Sequence, residues 1–596
     1  MKRVYGLSLS LVFSILLMGS IWLEAKNIED KPFDLKELNK TENSFTFVVT
    51  ADSHIGFQRK DTRKGRDNYR RVVEEVIKMN PKPKFLVIDG DIIADSLGKL
   101  PEEGLRRNWN TFVEISRKLL DNGIVPIPVR GNHDKIVPQR LGQMVLDDLV
   151  GVFRRLIDVD HEYYSFDAGK WHFVVLPVPI GESVFQWLKE DLQSHASEPT
   201  MVFLHFNLLP VGLVQLEYYT YPKPKLRRLV NIIRSYGNVK YVVSGHVHMG
   251  IKASFKTVWD YEGIKFMVIP ALGPGARPFG EEFDNLGIQA QGYAIFKVSG
   301  ENVEWVKYKS VKNNKVYTYP KTTLKFSKAM AQYWLATTPM DRYPVVGVNK
   351  IVNGDFEEGL KGWFVPFKYQ EDVNPRAIVE VESDNALSGE KTLHLYSRAR
   401  GLTGGGREEA VEAFQAIKLN DRRYPVISGA IRIGRYNPEG TNGAFIRVNV
   451  FYKNTPQFGL IYFFGNDSVR VKGRERSILS SDRDFNPFFR FRAYARYRGL
   501  WGVYPYRIGI ANLKTWQDKW HKFTINLGRD YEMIRGDSKP PYEELKLDRI
   551  VLWLGAVNDN RGDSEIEVWF DNIGLSFRDK EVVSNIDGEM VKLQIP

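Results

Sequence analysis

Between residues 45 and 250, short apolar runs alternate with longer stretches whose apolar positions recur every three or four residues. The runs at 45–50, 84–88, 124–129, 172–176, 201–204 and 239–243 have strand length, and the periodic stretches at 69–79, 105–120, 183–193 and 226–236 predict helices with one apolar face. Such alternation predicts an α/β domain whose sheets are covered by helices. The helical period fades after about residue 250, where 266–270, 293–298 and 303–308 predict closing strands.

The pattern then changes in kind. Residues 311–348 form a mixed connector punctuated by Pro320, Pro339 and Pro344, with a short helix predicted at 327–336. From about 349 to 580 the chain is rich in Gly, Tyr, Trp and Phe and breaks into short alternating runs at 377–381, 392–396, 444–452, 460–464, 522–526, 550–554 and 565–570. Turn residues separate the runs, which predicts an all-β sandwich. A length of 596 residues exceeds what one core supports. The expected division is a leader at 1–25, a catalytic domain at 42–310, a linker at 311–348 and a jelly-roll domain at 349–580.

Composition narrows the classes. A hydrophobic share of 43% and a charged share of 26% are those of soluble globular protein, which sets disorder aside as the main reading. The net charge of +12 favours anionic partners. No dense basic run marks a nucleic-acid arm. The nearest approach is Arg474, Arg476, Arg483, Arg490, Arg492, Arg496 and Arg498, interleaved with aromatic residues, which reads as a strand pair with one wet face. The chain has no cysteine, so disulfides, thiolate metal sites and lipidated cysteines are excluded, and any metal must be held by His, Asp, Glu or Asn. Lys2 and Arg3 precede an apolar run over 4–23, which predicts a signal peptide cleaved after Ala25 or a retained anchor. Either outcome places the rest of the chain outside the cytoplasm.

Five of the six early strands end in residues of metal-ligand type. They are Thr50-Ala51-Asp52-Ser53-His54, Asp89-Gly90-Asp91, Arg130-Gly131-Asn132-His133-Asp134, the strand ending at His205, and Gly245-His246-Val247-His248. In α/β sheets, ligands bind beyond the carboxyl ends of the strands. Alternate residues of an extended segment share a face, which makes His246-Val247-His248 a natural chelating pair. Each piece alone is common; their co-occurrence at one end of successive strands carries the signal.

As an ordered set, these motifs resemble the calcineurin-like metallophosphoesterase family over about residues 42–310. The resemblance implies a β-sandwich flanked by helices, with two divalent metal ions (Mn, Fe or Zn) at the strand ends. It implies that Asp52, His54 and His248 hold the first ion, that Asn132, His205 and His246 hold the second, and that Asp91 bridges both. It further implies that Asn132 and His133 face the substrate, that His133 protonates the leaving oxygen, and that Asp134 orients its imidazole. A shared carboxylate offsets the repulsion of two nearby cations, and imidazole with carboxylate ligands suits Mn, Fe and Zn better than calcium. There are departures. His205-Phe206-Asn207 stands where many members place a second His or a Pro, and Ala94 stands where purple acid phosphatases carry a ligand tyrosine. The stretch Gly90-Asp91-Ile92-Ile93-Ala94-Asp95-Ser96 is loosely similar to the cyclic-nucleotide phosphodiesterase branch. His161 and His172 fall in a scaffold hairpin, and His195, His394 and His521 have no ligand-type neighbours in sequence; all five are expected to be structural or superficial.

At the other end, Asn353-Gly354-Asp355-Phe356-Glu357, Gly362-Trp363 and Phe570-Asp571-Asn572-Ile573 resemble the edges of galactose-binding-like carbohydrate-binding modules. That resemblance implies a structural calcium held by Glu357 and Asp571. It also offers Trp363, Trp501 and Trp569 as rings for stacking on sugars, although filling the core is the commoner fate of such rings. Arg561-Gly562-Asp563 reads as part of a turn, without function. The function expected is metal-dependent hydrolysis of phosphate mono- or diesters outside the cytoplasm, with the β-sandwich tethering the enzyme to a glycan or cell-surface polymer. The alternatives are a glycan-binding surface protein with a dormant phosphoesterase scaffold and an exported nuclease. Export makes nucleic acid the less favoured partner, and a membrane enters only through an uncleaved leader.

Overall fold

Two sheets stack face to face in the first half of the chain. The computed structural model describes residues 31–56, 63–94, 100–134, 146–209, 223–248, 250, 258–273, 291–318, 324–326, 328–365, 377–398, 409–436, 442–466, 468–471, 474–477, 506–511, 517–535, 539–558 and 565–590. The strands are β1 (Ser44–Ala51), β2 (Phe85–Asp89), β3 (Val125–Val129), β4 (Tyr164–Ala168), β5 (Trp171–Leu176), β6 (Thr200–Leu204), β7 (Val239–Ser244), β8 (Val258–Tyr261), β9 (Ile264–Val268), β10 (Gly292–Ser299), β11 (Asn302–Ser310), β12 (Val316–Thr318) and β13 (Leu324–Lys325). The first sheet has the order β12-β11-β10-β1-β2-β3, and the second β13-β8-β9-β7-β6-β5-β4. Within them β1, β2 and β3 run parallel, as do β5, β6, β7 and β9.

Alternation along the strands divides the apolar residues between two layers. Phe173, Val175, Met201, Phe203, Tyr241 and Val243 face the core between the sheets, while Val174, Leu176, Val202, Leu204 and Val242 face the outer layer. Strands buried on both faces read as unbroken apolar runs, which is why the sequence shows runs and not alternation. Between the sheets, Phe47 stacks on Phe85 at 4.7 Å and on Phe296 at 4.8 Å within its own sheet, and meets Phe173 of the other sheet edge-on at 5.6 Å. Aromatic pairs of this kind contribute about 0.5–1.5 kcal/mol beyond their buried area.

The helices are α1 (Arg63–Ile77), α2 (Glu102–Leu120), α3 (Leu146–Arg154), α4 (Glu182–Ser194), α5 (Lys223–Ser235) and α6 (Lys328–Leu335). α1 and α2 give Tyr69, Val72, Val73 and Val76, and Leu105, Trp109 and Phe112, to the core of the first sheet. α4 and α5 cover the outer face of the second sheet through Val184, Leu188, Leu226 and Val230. α3 was not anticipated from the pattern. No described helix is long and apolar enough to cross a membrane, and residues 1–25 lie outside the described residues.

The connector is packed at both ends. On α6, Trp334 donates to Leu208 O at 2.8 Å, and the Lys223 ammonium sits 3.6 Å from the Trp334 ring centre. Tyr343 inserts edge-on against Phe414 and Trp553, and its carbonyl accepts from Arg549 at 2.8 Å.

The second half contains β14 (Val345–Val348), β15 (Ala377–Glu382), β16 (Thr392–Arg398), β17 (Glu409–Lys418), β18 (Tyr424–Tyr436), β19 (Asn442–Tyr452), β20 (Thr455–Asn466), β21 (Ser468–Val471), β22 (Arg474–Ser477), β23 (Tyr506–Ala511), β24 (Trp520–Asn526), β25 (Arg549–Asn558), β26 (Glu565–Arg578), β27 (Asn585–Ile586) and β28 (Glu589–Met590). They form one sheet of order β14-β17-β25-β19-β20-β23 and another of order β15-β16-β26-β18-β24-β27-β28. Leu393, Ile431, Ile446, Leu552 and Phe570 are among the buried residues of the core they share. β17 and β18 add to the predicted strands, and α7 (Leu527–Ile534) interrupts the β pattern, its first turn capped by Asn526 accepting from Arg529 N at 3.1 Å. β21 and β22 pair as a ribbon that includes Arg474 and Arg476; the remaining arginines of that cluster, like Trp501 and Arg561-Gly562-Asp563, lie outside the described residues.

Candidate active site

The carboxyl ends of β1, β2 and β3 in one sheet and of β6 and β7 in the other meet at one place. Asp52, His54, Asp91 and His248 each bring a ligand atom within 4.8 Å of one another, and so do Asp91, His205 and His246. Asp91 belongs to both groups. Its Oδ2 lies 3.6 Å from His54 Nε2, 3.1 Å from His205 Nε2 and 3.9 Å from His133 Nε2. His248 Nε2 lies 3.2 Å from Asp52 Oδ1 and 2.9 Å from His54 Nε2. Asp52, His54, Asp91 and His205 are buried; Asn132, His133, His246 and His248 are partly open.

Backbone geometry places these groups. Asp52, His54, Asp91, His246 and His248 all have φ between 46° and 68°, the left-handed region that non-glycine residues seldom occupy. Such residues cost about 1–3 kcal/mol each, and they cluster where a surrounding structure over-determines them. The restraints here are Asp52 N to Gly90 O at 3.1 Å, His54 N to Asp91 O at 2.9 Å, and His246 N to Asp52 Oδ2 at 3.0 Å. Glycine is required beside them. A Cβ on Gly131 would lie 2.1 Å from Asp91 N, and one on Gly90 would lie 2.4 Å from the His205 ring.

Electrostatics sorts the protonation states. Burial alone would raise Asp91, but the charge and hydrogen bond of His205 hold it well below the usual carboxylate range. Burial brings His54 down to about 3, aided by His248 and opposed by Asp91. Burial together with the His205 charge brings His246 down to about 3. Both rings are therefore neutral, the form that ligates metals. Burial would also lower His205, but Asp91 outweighs it and raises the ring to about 10. His205 Nδ1 donates to Asp89 O at 2.8 Å, which fixes Nε2 as the atom that faces Asp91. Asn132 Oδ1 is buried without a hydrogen bond, in the loop between two residues that touch Asp91. Ionised carboxylates, neutral imidazoles and an orphaned amide oxygen fit divalent cations.

Asp134 was expected to orient the His133 imidazole. Its oxygens are engaged by backbone N–H groups, Oδ1 by Ile93 at 3.0 Å and Oδ2 by Gly131 at 2.7 Å, so what it visibly orients is the loop. Burial and then the Asp91 charge push this carboxyl up to about 7.

Two residues that the sequence motifs include without a role stand at the site. Asp89 is fully buried with its carboxyl raised well above the ordinary range, chiefly by burial. The Asn207 amide is buried, and neither of its polar atoms has a hydrogen-bond partner. The only sequence signal for either was proximity to a ligand.

Elsewhere, Glu357 and Asp571 grip the same turn. Glu357 Oε1 accepts from the N–H groups of Glu390 and Lys391 at 2.7 and 3.0 Å, and Asp571 Oδ2 from those of Leu387 and Ser388 at 2.9 and 3.3 Å. Trp363 and Trp569 do not offer free faces to a sugar. Trp363 packs on Phe356 and donates to Asn353 O, while Trp569 is flanked by the His394 ring at 5.1 Å and the Arg432 guanidinium at 5.0 Å. The histidines without ligand-type neighbours in sequence acquire them in space. His394 lies 3.0 Å from Glu380, 3.4 Å from Glu382 and 3.3 Å from Glu567, and His521 lies 2.6 Å from Asp587.

Residues 45–250 match the calcineurin-like phosphoesterase family. The chain is similar to the serine/threonine-protein phosphatase CPPED1 of Pongo abelii, at 24% identity over 281 residues, covering 43% of this chain and 83% of that protein. It is similar to the 3',5'-cyclic adenosine monophosphate phosphodiesterase CpdA of Haemophilus influenzae, at 24% identity over 210 residues, covering 34% of this chain and 66% of that protein. Among solved structures, a promiscuous carbohydrate-binding module of the β-sandwich superfamily is a neighbour with a TM-score of 0.22 and 11% identity, over 47% of this chain and 78% of that one, a likeness too slight to bear weight. Ligand clusters of metal type at the strand ends and the match of the surrounding sequence lead to the same conclusion: residues 45–250 are a calcineurin-like phosphoesterase domain, a hydrolase of phosphoester bonds.

Proposed function

We propose that the chain hydrolyses phosphate mono- or diesters outside the cytoplasm, using two divalent cations of the Mn, Fe or Zn class. The observation that carries this reading is that one carboxylate, Asp91, is common to two ligand groups. Asp52, His54, Asp91 and His248 would hold one cation, and Asp91, Asn132, His205 and His246 the other. When bound, such ions neutralise phosphoryl oxygens and activate water as a nucleophile.

The chain's own groups do the rest. His133 is partly open and its main chain is tied to Asp91, so its imidazole stands at the edge of the cluster, placed to protonate the leaving oxygen. Asp134 holds the loop that carries it. Asn132 would coordinate without adding charge, which would keep the site attractive to an anionic ester. Export rests on the apolar run over 4–23 behind Lys2 and Arg3. The β-sandwich would anchor the enzyme to a glycan or surface polymer, and Glu357 with Asp571 would hold a structural calcium beside the turn they grip.

Turnover of chromogenic mono- and diesters, measured after thorough chelation and after restoring Mn²⁺, Fe²⁺ or Zn²⁺, tests the reading. Loss on chelation and recovery with metal is expected. Full activity in the stripped protein, or none with any of the metals, would overturn it.

A further inference from the structure

We propose that Arg130 and Glu162 are positioning residues of the phosphoesterase site: a buried ion pair that ties the loop bearing Asn132 and His133 to the second sheet, and so fixes how far both stand from His205. The inference rests on the metal-dependent hydrolysis proposed above. β3 and β4 are edge strands, one of each sheet. β4 runs antiparallel to β5, whereas β5 runs parallel to β6 and β6 to β7. β4 therefore begins at the end where β6 and β7 finish, beside the ligand cluster. Arg130 directly follows β3, and Glu162 comes just before β4. The pair thus closes the open edge of the sandwich at the active-site end.

Arg130 Nη1 donates to Glu162 Oε2 at 2.5 Å, with the two side chains 3% and 7% exposed. Two more bonds cross the same edge. The Tyr164 hydroxyl donates to Pro128 O at 2.7 Å, and Val178 N, just past β5, donates to Arg130 O at 3.2 Å. Two carbonyls at the end of β3 are thus taken up by the second sheet. Pro126 and Pro128 have no N–H to offer, which suits them to an edge strand.

A buried ion pair adds little net stability, because taking both charges out of water offsets their attraction; an apolar pair of similar volume is often as stable or more so. What the ion pair adds is direction, since the planar guanidinium holds a carboxylate in a defined orientation. The chain places that restraint where orientation matters. Two residues beyond Arg130, Asn132 has a buried Oδ1 without a hydrogen bond. The next residue, His133, donates its N–H to Asp91 Oδ1 at 2.8 Å, and Asp91 Oδ2 lies 3.1 Å from His205 Nε2. Asn132 and His205 come from different sheets and would share one cation. Their separation therefore depends on what spans the two sheets beside them. A displacement of about 1 Å at such a site costs on the order of 100-fold in rate.

Turnover of chromogenic phosphoesters with Mn²⁺, melting temperature and Mn²⁺ affinity by isothermal titration are compared between the native full chain and its variants. Arg130→Met leaves Glu162 buried without its partner charge, so melting temperature and turnover should fall together. The chain carrying both Arg130→Met and Glu162→Met buries no charge. Its melting temperature should return to near the native value while kcat stays down on the order of 100-fold. Its weaker Mn²⁺ equivalent should bind on the order of tenfold less tightly. Glu162→Asp keeps the charge but shortens the tether by one methylene; it should keep the melting temperature and lose turnover on the order of tenfold. Native kcat in the folded double variant, or in Glu162→Asp should the double variant not fold, would overturn the proposal, because a merely structural pair affects rate only through stability. A native chain that binds Mn²⁺ but turns over no ester would defeat the hydrolytic reading alone, and unchanged Mn²⁺ affinity in those same variants would then overturn the positioning role.

Discussion

The backbone N–H of His133 donates to Asp91 Oδ1 at 2.8 Å, so the loop after β3 hangs from the carboxylate that both ligand groups share. The shared carboxylate, the proposed proton donor and the loop geometry are thereby one mechanical unit. Asp91→Asn keeps an acceptor for that N–H but removes the charge. Metal affinity should fall by at least about 100-fold, beyond what the loss of an outer hydrogen-bond partner causes. Isothermal titration with Mn²⁺ checks this, and near-normal affinity would argue against a bridging carboxylate.

His133→Ala should separate proton transfer from metal binding. Turnover should drop by about 10²–10⁴-fold while metal content stays at the wild-type level. The loss should shrink for esters with acidic leaving groups, which need no proton. Equal losses across leaving groups would contradict a general-acid role.

Gly131→Ala should be far more damaging than Gly123→Ala. The first drives a Cβ against Asp91 N at 2.1 Å, whereas at Gly123 a Cβ meets nothing within 4 Å and the cost is that of a left-handed residue, about 1 kcal/mol. Melting temperature together with turnover distinguishes them: Gly123→Ala loses a little stability alone, Gly131→Ala loses both.

His172, hydrogen-bonded to Asp167 and Asp191, should impose a pH dependence on stability. The folded ring titrates at about 9, above its ordinary 6.5, so its contribution is fully present below about pH 6.5 and is lost as pH rises through about 9. The loss should reach up to about 3 kcal/mol. Denaturant melts across this window should show the slope in the native chain and a flatter profile in His172→Asn. Equal slopes would mean that the ring is not charged at neutral pH.

The strand ends were legible because five of the six early apolar runs are followed within a few residues by side chains of metal-ligand type, and that punctuation is local. The left-handed backbone of Asp52, His54, Asp91, His246 and His248 was not, since glycine is the usual sign of positive φ and these residues are not glycine. The partners of His394 and Trp569 were hidden for another reason. Glu380, His394, Trp569 and Arg432 stand in one cross-strand row, yet their sequence positions are set by loop lengths that local patterning does not encode. The same holds for His195, whose neighbours Asp167 and His172 come from a hairpin that precedes its helix. α7 was missed because its cap, Asn526, closes a strand that reads convincingly without it.

The Phe47–Phe173 contact lies between the sheet that carries Asp52, Asp91 and Asn132 and the sheet that carries His205 and His246. The distance from Asp91 to His205 is thus a caliper reading of how those two layers are seated. A substitution that thins the aromatic filling between them, made well away from any ligand, would be felt first as a mis-set gap at the strand ends, so that catalysis fails before the fold does.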